Sequence, residues 1–235
     1  MATLLSTGSE KRLYLQIAEK IVLLIGQGEY PVGSRLPAER KLAENFEVSR
    51  PTIREAMIAL EVSGTVEIRP GSGVYVIAKE ASPALNVDES LPGPFEILEA
   101  RLHFEPEAAA LASQRISHQE IFELRQLQKK MQKLEAEDLS ATHDLDFRFH
   151  EMIAIATRNT SIHQAISWLW ALRRQSQLST TLDRLIRTRG ATPIMDDHLK
   201  IIDAMQNRDA PSAKRAMQQH IQRVINEFSQ YSLDE

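Results

Sequence analysis

Leu13, Ile17, Ile21, Leu24 and Ile25 recur at the spacing of a helix with one buried face, and Gly26, Gly28, Pro31 and Gly33 then break the pattern. A second, shorter helix starts at Leu36-Pro37-Ala38-Glu39-Arg40, turns Leu42 and Ala43 inward and ends near Asn45. Phe46-Glu47-Val48 makes a tight connection, and Ser49 is a natural N-cap for a third helix reaching about Ser63. The period then changes. Val66 and Ile68 alternate with polar residues, Arg69 to Gly73 supplies a turn, and Val74, Tyr75 and Val76 return as a second strand. So small a hairpin needs a helical layer to rest on. Two short helices joined by a few residues, the second followed by a hairpin, are the parts of a winged helix-turn-helix.

The stretch from Ala78 to Pro94, AKEASPALNVDESLPGP, has neither helical nor strand periodicity and reads as a linker. Beyond it the pattern is helical throughout, with about six helices expected between Pro94 and Ser229. Ser117 followed by Glu120 makes a capping box, Thr192-Pro193 offers an N-cap with proline in the first turn, and Asp209 with Pro211 does the same for the last helix. The expected fold is therefore mainly α. Residues 1–79 form a winged helix-turn-helix of three helices plus a β-hairpin wing, 80–93 a linker, and 94–235 an all-α antiparallel helical bundle.

A chain of 235 residues with 43% hydrophobic content has room for two modest domains, each with its own core. The absence of cysteine excludes disulfides, thiolate metal sites and cysteine nucleophiles, so any metal must be held by nitrogen and oxygen. No apolar run suits a signal peptide or a membrane span, which leads to the expectation of a cytoplasmic protein with no membrane partner. The net charge of -4 makes any contact with nucleic acid a local matter. Residues 1–79 hold 10 Lys+Arg against 9 Asp+Glu, and the remainder 18 against 23, an asymmetry that permits a DNA-binding head without demonstrating one.

The faces of the third helix add more. Ile53, Ala56, Met57 and Leu60 form an apolar stripe, while Arg50 and Arg54 stand four residues apart on the other side with Ser49 and Thr52 nearby. Such a set can meet phosphates and guanine edges at a helix N-terminus, although two arginines alone are more often an ordinary solvated face. Their setting is more specific. Gly33-x-x-Leu36-Pro37-Ala38-Glu39-Arg40, then Val48-Ser49-Arg50-x-Thr52-Ile53-Arg54-Glu55-Ala56, then Gly71-x-Gly73-Val74 closely resembles the DNA-binding domain of the GntR family of bacterial regulators. The resemblance implies that Arg40, Arg50 and Arg54 contact double-stranded DNA, that Ser49 and Thr52 support them, and that Gly71 at the wing tip enters the minor groove. Pro51 and Pro70 stand where related sequences often carry other residues.

In the last helical stretch Ala213, Ala216, Met217, Ile221, Val224 and Phe228 mark a buried face, and His220 lies within it. His198 falls among Ile194, Ile201, Ile202 and Met205, and Asp146 and His150 continue onto Ile153 along one line of their helix. Three helices thus turn ionisable groups toward one interior. Each histidine could be a core residue satisfied by a neighbour, or all could share a cation that neutralises the carboxylate and uses the imidazole lone pairs. Three His and one Asp suit Zn²⁺, with Ni²⁺, Mn²⁺ or Fe²⁺ as alternatives, and would leave one or two positions for water or ligand. His143 is close enough to Asp146 to be a rival ligand. His103, His118 and His163 read as structural or exposed, and Trp168 and Trp170 as core or interface residues.

A second resemblance covers this half. Glu99-x-Arg101-x-x-x-Glu105-x-x-x-Ala109, Asp146-x-x-Phe149-His150, Asp197-His198-x-x-Ile201 and Met217-x-x-His220 are similar to the FCD effector domain of the FadR-type GntR regulators. It implies Asp146, His150, His198 and His220 as ligands of one divalent metal per chain. It also implies a homodimer that releases or reshapes its grip on a palindromic operator, as a repressor, when a small carboxylate reaches the metal. Arg101 fits that role on its own account. It shares the inward stripe of Leu98, Ala108 and Ala112, where a guanidinium needs an anion: either a bidentate ligand carboxylate or, more simply, Glu105 four residues on. Asn159 and Arg173 are further candidates for effector hydroxyls and a second anionic group.

RLYLQIA, GPFEILEAR and DLDFRFH most resemble the hexuronate-responsive members, the UxuR and ExuR type, and related aldonates or hydroxy acids suit the same pattern. The chain stops soon after its last helix, where those relatives are expected to continue. No catalytic residue and no enzymatic activity are expected. The competing readings are a metal-dependent hydrolase or lactonase, and a regulator whose metal is structural or is itself the signal.

Overall fold

A computed structural model describes residues 12–69, 71–79, 91–134, 139–187 and 195–230. Most of the expected linker, the Thr192-Pro193 cap, Pro70 and the side chain of His143 lie outside the described residues. Among those residues stand ten helices and one two-stranded antiparallel sheet, and they fall into two compact units.

The first unit contains α1 (Leu13–Gln27), α2 (Glu39–Phe46), α3 (Arg50–Val62), β1 (Val66–Arg69), β2 (Gly73–Val76) and α8 (Gln177–Arg187). Tyr14, Leu15, Ile17, Ala18, Ile21 and Ile25 form the buried face of α1, and Gly28, at φ 85°, ends the helix, its own N–H donating to Ile25 O and the Glu29 N–H to Leu24 O. Ser49 caps α3 by accepting from the Thr52 N–H at 3.3 Å, with Pro51 in the first turn. In the hairpin Val66 pairs with Val76 and Ile68 with Val74, which sends all four side chains inward onto the helices. Gly73, at φ 115°, leaves the turn so close to Arg35 that a Cβ there would run into the guanidinium. Residues 33–36 pair with β2 through Gly33 N–H to Val76 O (2.8 Å) and Leu36 N–H to Val74 O (2.8 Å).

Helix α8 falls within the stretch read from sequence as the helical bundle, yet its contacts group it with the first unit. Leu178, Leu182 and Leu185 make its buried face, it packs on α3, and Arg184 stands 3.6 Å from Glu61. Among the described residues seven helices therefore run from Pro94 onward where about six were expected. The extra boundary is at Ser176, whose hydroxyl accepts from the Ser179 N–H (3.2 Å) and starts a new helix directly after α7.

The second unit contains α4 (Pro94–Arg115), α5 (His118–Leu134), α6 (Leu139–Ala156), α7 (Thr160–Gln175), α9 (Met195–Gln206) and α10 (Ala210–Gln230). Helix α4 is central, packed along α10 and also against α6, α7 and α9. Ala109 and Ala112 let the neighbouring helices approach it, and the core continues through Phe149, Ile153, Ile201, Met205, Met217 and Ile221. The expected capping box forms: the Ser117 N–H donates to Glu120 (2.9 Å) and the Glu120 N–H to the Ser117 hydroxyl (3.2 Å). Asp209 caps α10 by accepting from the Ser212 N–H at 3.0 Å. No described helix is long and apolar enough to cross a membrane.

Candidate metal and anion site and DNA-reading face

Helix α6 carries Asp146 and His150 one turn apart, α9 carries His198 and α10 carries His220, and one nitrogen or oxygen from each lies within 4.8 Å of the others. The three histidines are fully buried. His220 Nε2 lies 3.3 Å from His150 Nε2, and Asp146 Oδ1 lies 3.4 Å from His198 Nε2 and 3.7 Å from His150 Nε2. A tetrahedron of metal–nitrogen bonds of about 2.1 Å has edges of about 3.4 Å, so these separations suit one small cation.

The outward nitrogens have other partners. His150 Nδ1 lies against Glu105 Oε2, His198 Nδ1 is 3.1 Å from Gln128 Oε1, and His220 Nδ1 is 3.9 Å from Asp197, itself ion-paired with Arg223. An acceptor at Nδ1, as Gln128 supplies to His198 and the contact with Glu105 to His150, favours the proton there and leaves the Nε2 lone pair facing the cluster. His198 Nε2 is buried and has no hydrogen-bond partner among the described residues. Burial drives the His198 pKa down to about 3 against a partial offset from Asp146, and drives that of His220 well below the ordinary imidazole range, helped by His198 and His150. Burial opposes the Asp146 charge, but His150, His198, Arg101 and Arg173 together bring its pKa below the usual value. Imidazoles converging on a carboxylate are a donor set that suits a divalent metal.

Arg101 reaches the same place from α4. Its Nε donates to Glu105 Oε1 at 2.6 Å and its guanidinium lies 4.0 Å from the centre of the Trp170 ring. The internal pair with Glu105 thus exists, yet it occupies only Nε. Among the described residues the two terminal nitrogens find no hydrogen-bond acceptor, although the side chain is 3% exposed. Arg173 stands 4.0 Å from Asp146 Oδ2 and 5.2 Å from the Trp170 ring centre. Asn159 departs from the expectation. Its side-chain oxygen accepts from the N–H groups of Ser161 (3.0 Å) and Ile162 (3.3 Å), so the residue is the exposed N-cap of α7 and is not brought to the cluster.

On the first unit, Arg40 is exposed at the start of α2, Arg50 is half exposed at the start of α3, and the Ser49 and Thr52 hydroxyls share a 2.8 Å hydrogen bond beside it. Gly71 is exposed at the wing turn with φ 75°. Arg54 contradicts its expected role. The side chain is 0% exposed, and its guanidinium grips both oxygens of buried Glu39 at 2.6 and 2.7 Å. Helix α3 is covered by α1, α2, β1 and α8, so a position one turn beyond Arg50 is already inside the fold and cannot reach a groove as it stands.

Two family matches fit these two halves. Residues 13–76 match the family described as bacterial regulatory proteins, gntR family, and residues 96–223, more than half of the chain, match the FCD domain. The chain belongs to the GntR family and carries an FCD domain. This GntR-family chain is 35% identical to the Exu regulon transcriptional regulator of Escherichia coli K12 over 90% of its own length and 83% of the relative's. It is 34% identical to the Uxu operon transcriptional regulator of the same organism, over 97% and 91%. Among solved structures, E. coli McbR/YncC shares the fold at 21% identity, covering 93% of this chain and 98% of that one with a TM-score of 0.50. The chain is accordingly a DNA-binding transcription regulator. What sequence reasoning missed in this GntR-family site are the groups behind the histidines. Gln128 gave no signal, lying 70 residues from His198, whereas Asp197 and Glu105 stood inside motifs already recognised and only their aim was unknown.

Proposed function

We propose that this chain is a cytoplasmic, homodimeric repressor whose grip on a palindromic operator is controlled by a small carboxylate bound at a divalent metal in the second unit. Residues 1–79 read DNA, 94–235 sense and dimerise, and 80–93 join them. The observation that carries the proposal is the convergence of Asp146, His150, His198 and His220 beside the unengaged terminal nitrogens of Arg101. Those four residues would hold Zn²⁺, or else Ni²⁺, Mn²⁺ or Fe²⁺, and the metal would supply a Lewis-acidic docking point for one end of an anion. Arg101 offers that anion a planar pair of N–H donors, and Arg173 a second positive charge. The Exu and Uxu names of the relatives, with the resemblance already noted, make a hexuronate the first candidate and aldonates the second.

Arg40 and Arg50 would meet the DNA directly, Ser49 and Thr52 would hold Arg50's end of α3, and Gly71 would let the wing approach a groove. Arg54 serves this face from inside, by fixing α3 on α2 through Glu39.

The test has two arms. A thermal-shift screen of the metal-loaded protein against sugar acids finds the effector, because a ligand that binds the fold stabilises it. Fluorescence anisotropy on DNA fragments selected by the protein then measures release on adding that acid. Release that disappears in Arg101→Met supports the reading. Operator binding that follows metal concentration but ignores every acid would overturn it in favour of a metal sensor.

A further inference from the structure

We propose that Glu105 is a positioning residue that couples the anion receptor Arg101 to the metal ligand His150, so that occupancy of either site changes the strength of the other. The proposal rests on the function given above for the cluster, and it concerns a residue that neither binds the metal nor meets the anion.

Glu105 is almost wholly buried on α4, and its two oxygens face different partners. Oε1 accepts from Arg101 Nε (2.6 Å) and from Trp170 Nε1 (3.1 Å), while Oε2 lies against His150 Nδ1. The aromatic ring completes the clamp: Trp170 lies under the Arg101 guanidinium (4.0 Å) and beside the His150 ring (5.1 Å). One carboxylate therefore fixes the plane of the arginine and the tautomer and direction of the histidine. Its negative charge is shared between them. A guanidinium that draws more strongly on Oε1 leaves less charge at Oε2 to support His150 as a donor, and an anion taking up the terminal nitrogens of Arg101 reverses this. A carboxylate behind a ligating histidine is worth roughly 10- to 100-fold in metal affinity, and linkage makes any coupling reciprocal.

The experiment is a double-mutant cycle read as Zn²⁺ affinity, by competition with a chromophoric chelator, on the full chain without any organic ligand. Glu105→Gln is expected to weaken Zn²⁺ binding about 10- to 100-fold. Arg101→Met is expected to tighten it, and to do so about fivefold or more in the presence of Glu105 than in the Glu105→Gln background. Zn²⁺ affinity within about twofold of wild type in Glu105→Gln, or equal effects of Arg101→Met in both backgrounds, overturns the coupling; the second result would leave only direct charge repulsion between Arg101 and the metal. Should Glu105→Gln fail to fold, nitrogen NMR of the metal-free wild-type protein decides. A His150 ring protonated at Nδ1 is expected, and one protonated at Nε2 overturns the proposal. None of these readouts uses a sugar acid, so failure of the effector assignment and failure of the coupling give different results.

Discussion

Replacing Arg54 by alanine separates two accounts of the recognition helix. In a solvated DNA contact the change would alter folding stability by less than about 0.5 kcal/mol and would act only on DNA. Here the guanidinium is 0% exposed and bonded to both oxygens of a Glu39 side chain that is 1% exposed. Its removal leaves a buried carboxylate without its main counter-charge, with the half-exposed Arg50 3.5 Å away. Breaking such a pair from one side costs about 3 to 5 kcal/mol. With a urea slope of about 2 kcal/mol per M, the unfolding midpoint of the first unit falls by about 2 M. Removing both charges together, as Glu39→Gln with Arg54→Met, is expected to recover most of that loss, because two similar-sized groups then pack without a stranded ion. Urea titrations followed by circular dichroism, with operator affinity measured at the same temperature, test the set. Normal stability in Arg54→Ala accompanied by lost operator binding would refute the buried-clamp account and restore the direct contact.

Arg50→Ala should behave in the opposite way, with a urea midpoint close to wild type and operator binding weakened by about 1 to 3 kcal/mol per lost base contact, measured by anisotropy at fixed salt. His220→Ala should lose the metal in elemental analysis and melt earlier than the metal-loaded wild type; retained stoichiometric metal would refute the four-ligand site. The metal-free protein should lose stability as pH falls. The His198 pKa is about 3 in the fold against 6.5 in the free side chain, so the unfolded state binds the extra proton, and this contribution is complete above about 6.5 and drains away as pH drops toward 3. His220, shifted the same way, adds to that slope, which melting temperatures between pH 8 and 5 would show.

Much of this was readable from spacing because the deciding contacts are local. The Ser49, Ser117 and Asp209 caps, the hairpin register and the inward stripes of α1, α4 and α10 each depend on residues within a few positions, where helix and strand periods apply directly. Arg54 and Asn159 escaped for a different reason. Periodicity assigns a side chain to a face but does not say what covers that face, and α3 is covered on nearly every side. Asn159 immediately precedes a helix, where an amide is more useful as a cap than as a ligand contact, and that signal stood in the sequence beside Thr160.

The candidate site shows the same division, and its consequence is energetic. Only Asp146 with His150 and Arg101 with Glu105 are pairs that one helix brings together by itself, each four residues apart. His198 and His220 arrive on separate helices, and the alignment of all four donors depends on α4 packing with α6, α9 and α10. Three buried imidazoles aimed at one carboxylate give the fold little on their own, since burial lowers the basicity of His198 and His220 and leaves His198 Nε2 without a hydrogen bond. A cation held there would turn that cost into cross-links between α6, α9 and α10, so its binding energy is also folding energy for the second unit. Arg101 and Glu105 attach α4 to the same cross-link from behind His150. An anion that joins Arg101 to the metal would then act on the helix along which most of that unit is packed, which is how a ligand small enough to touch two or three side chains could alter a whole domain.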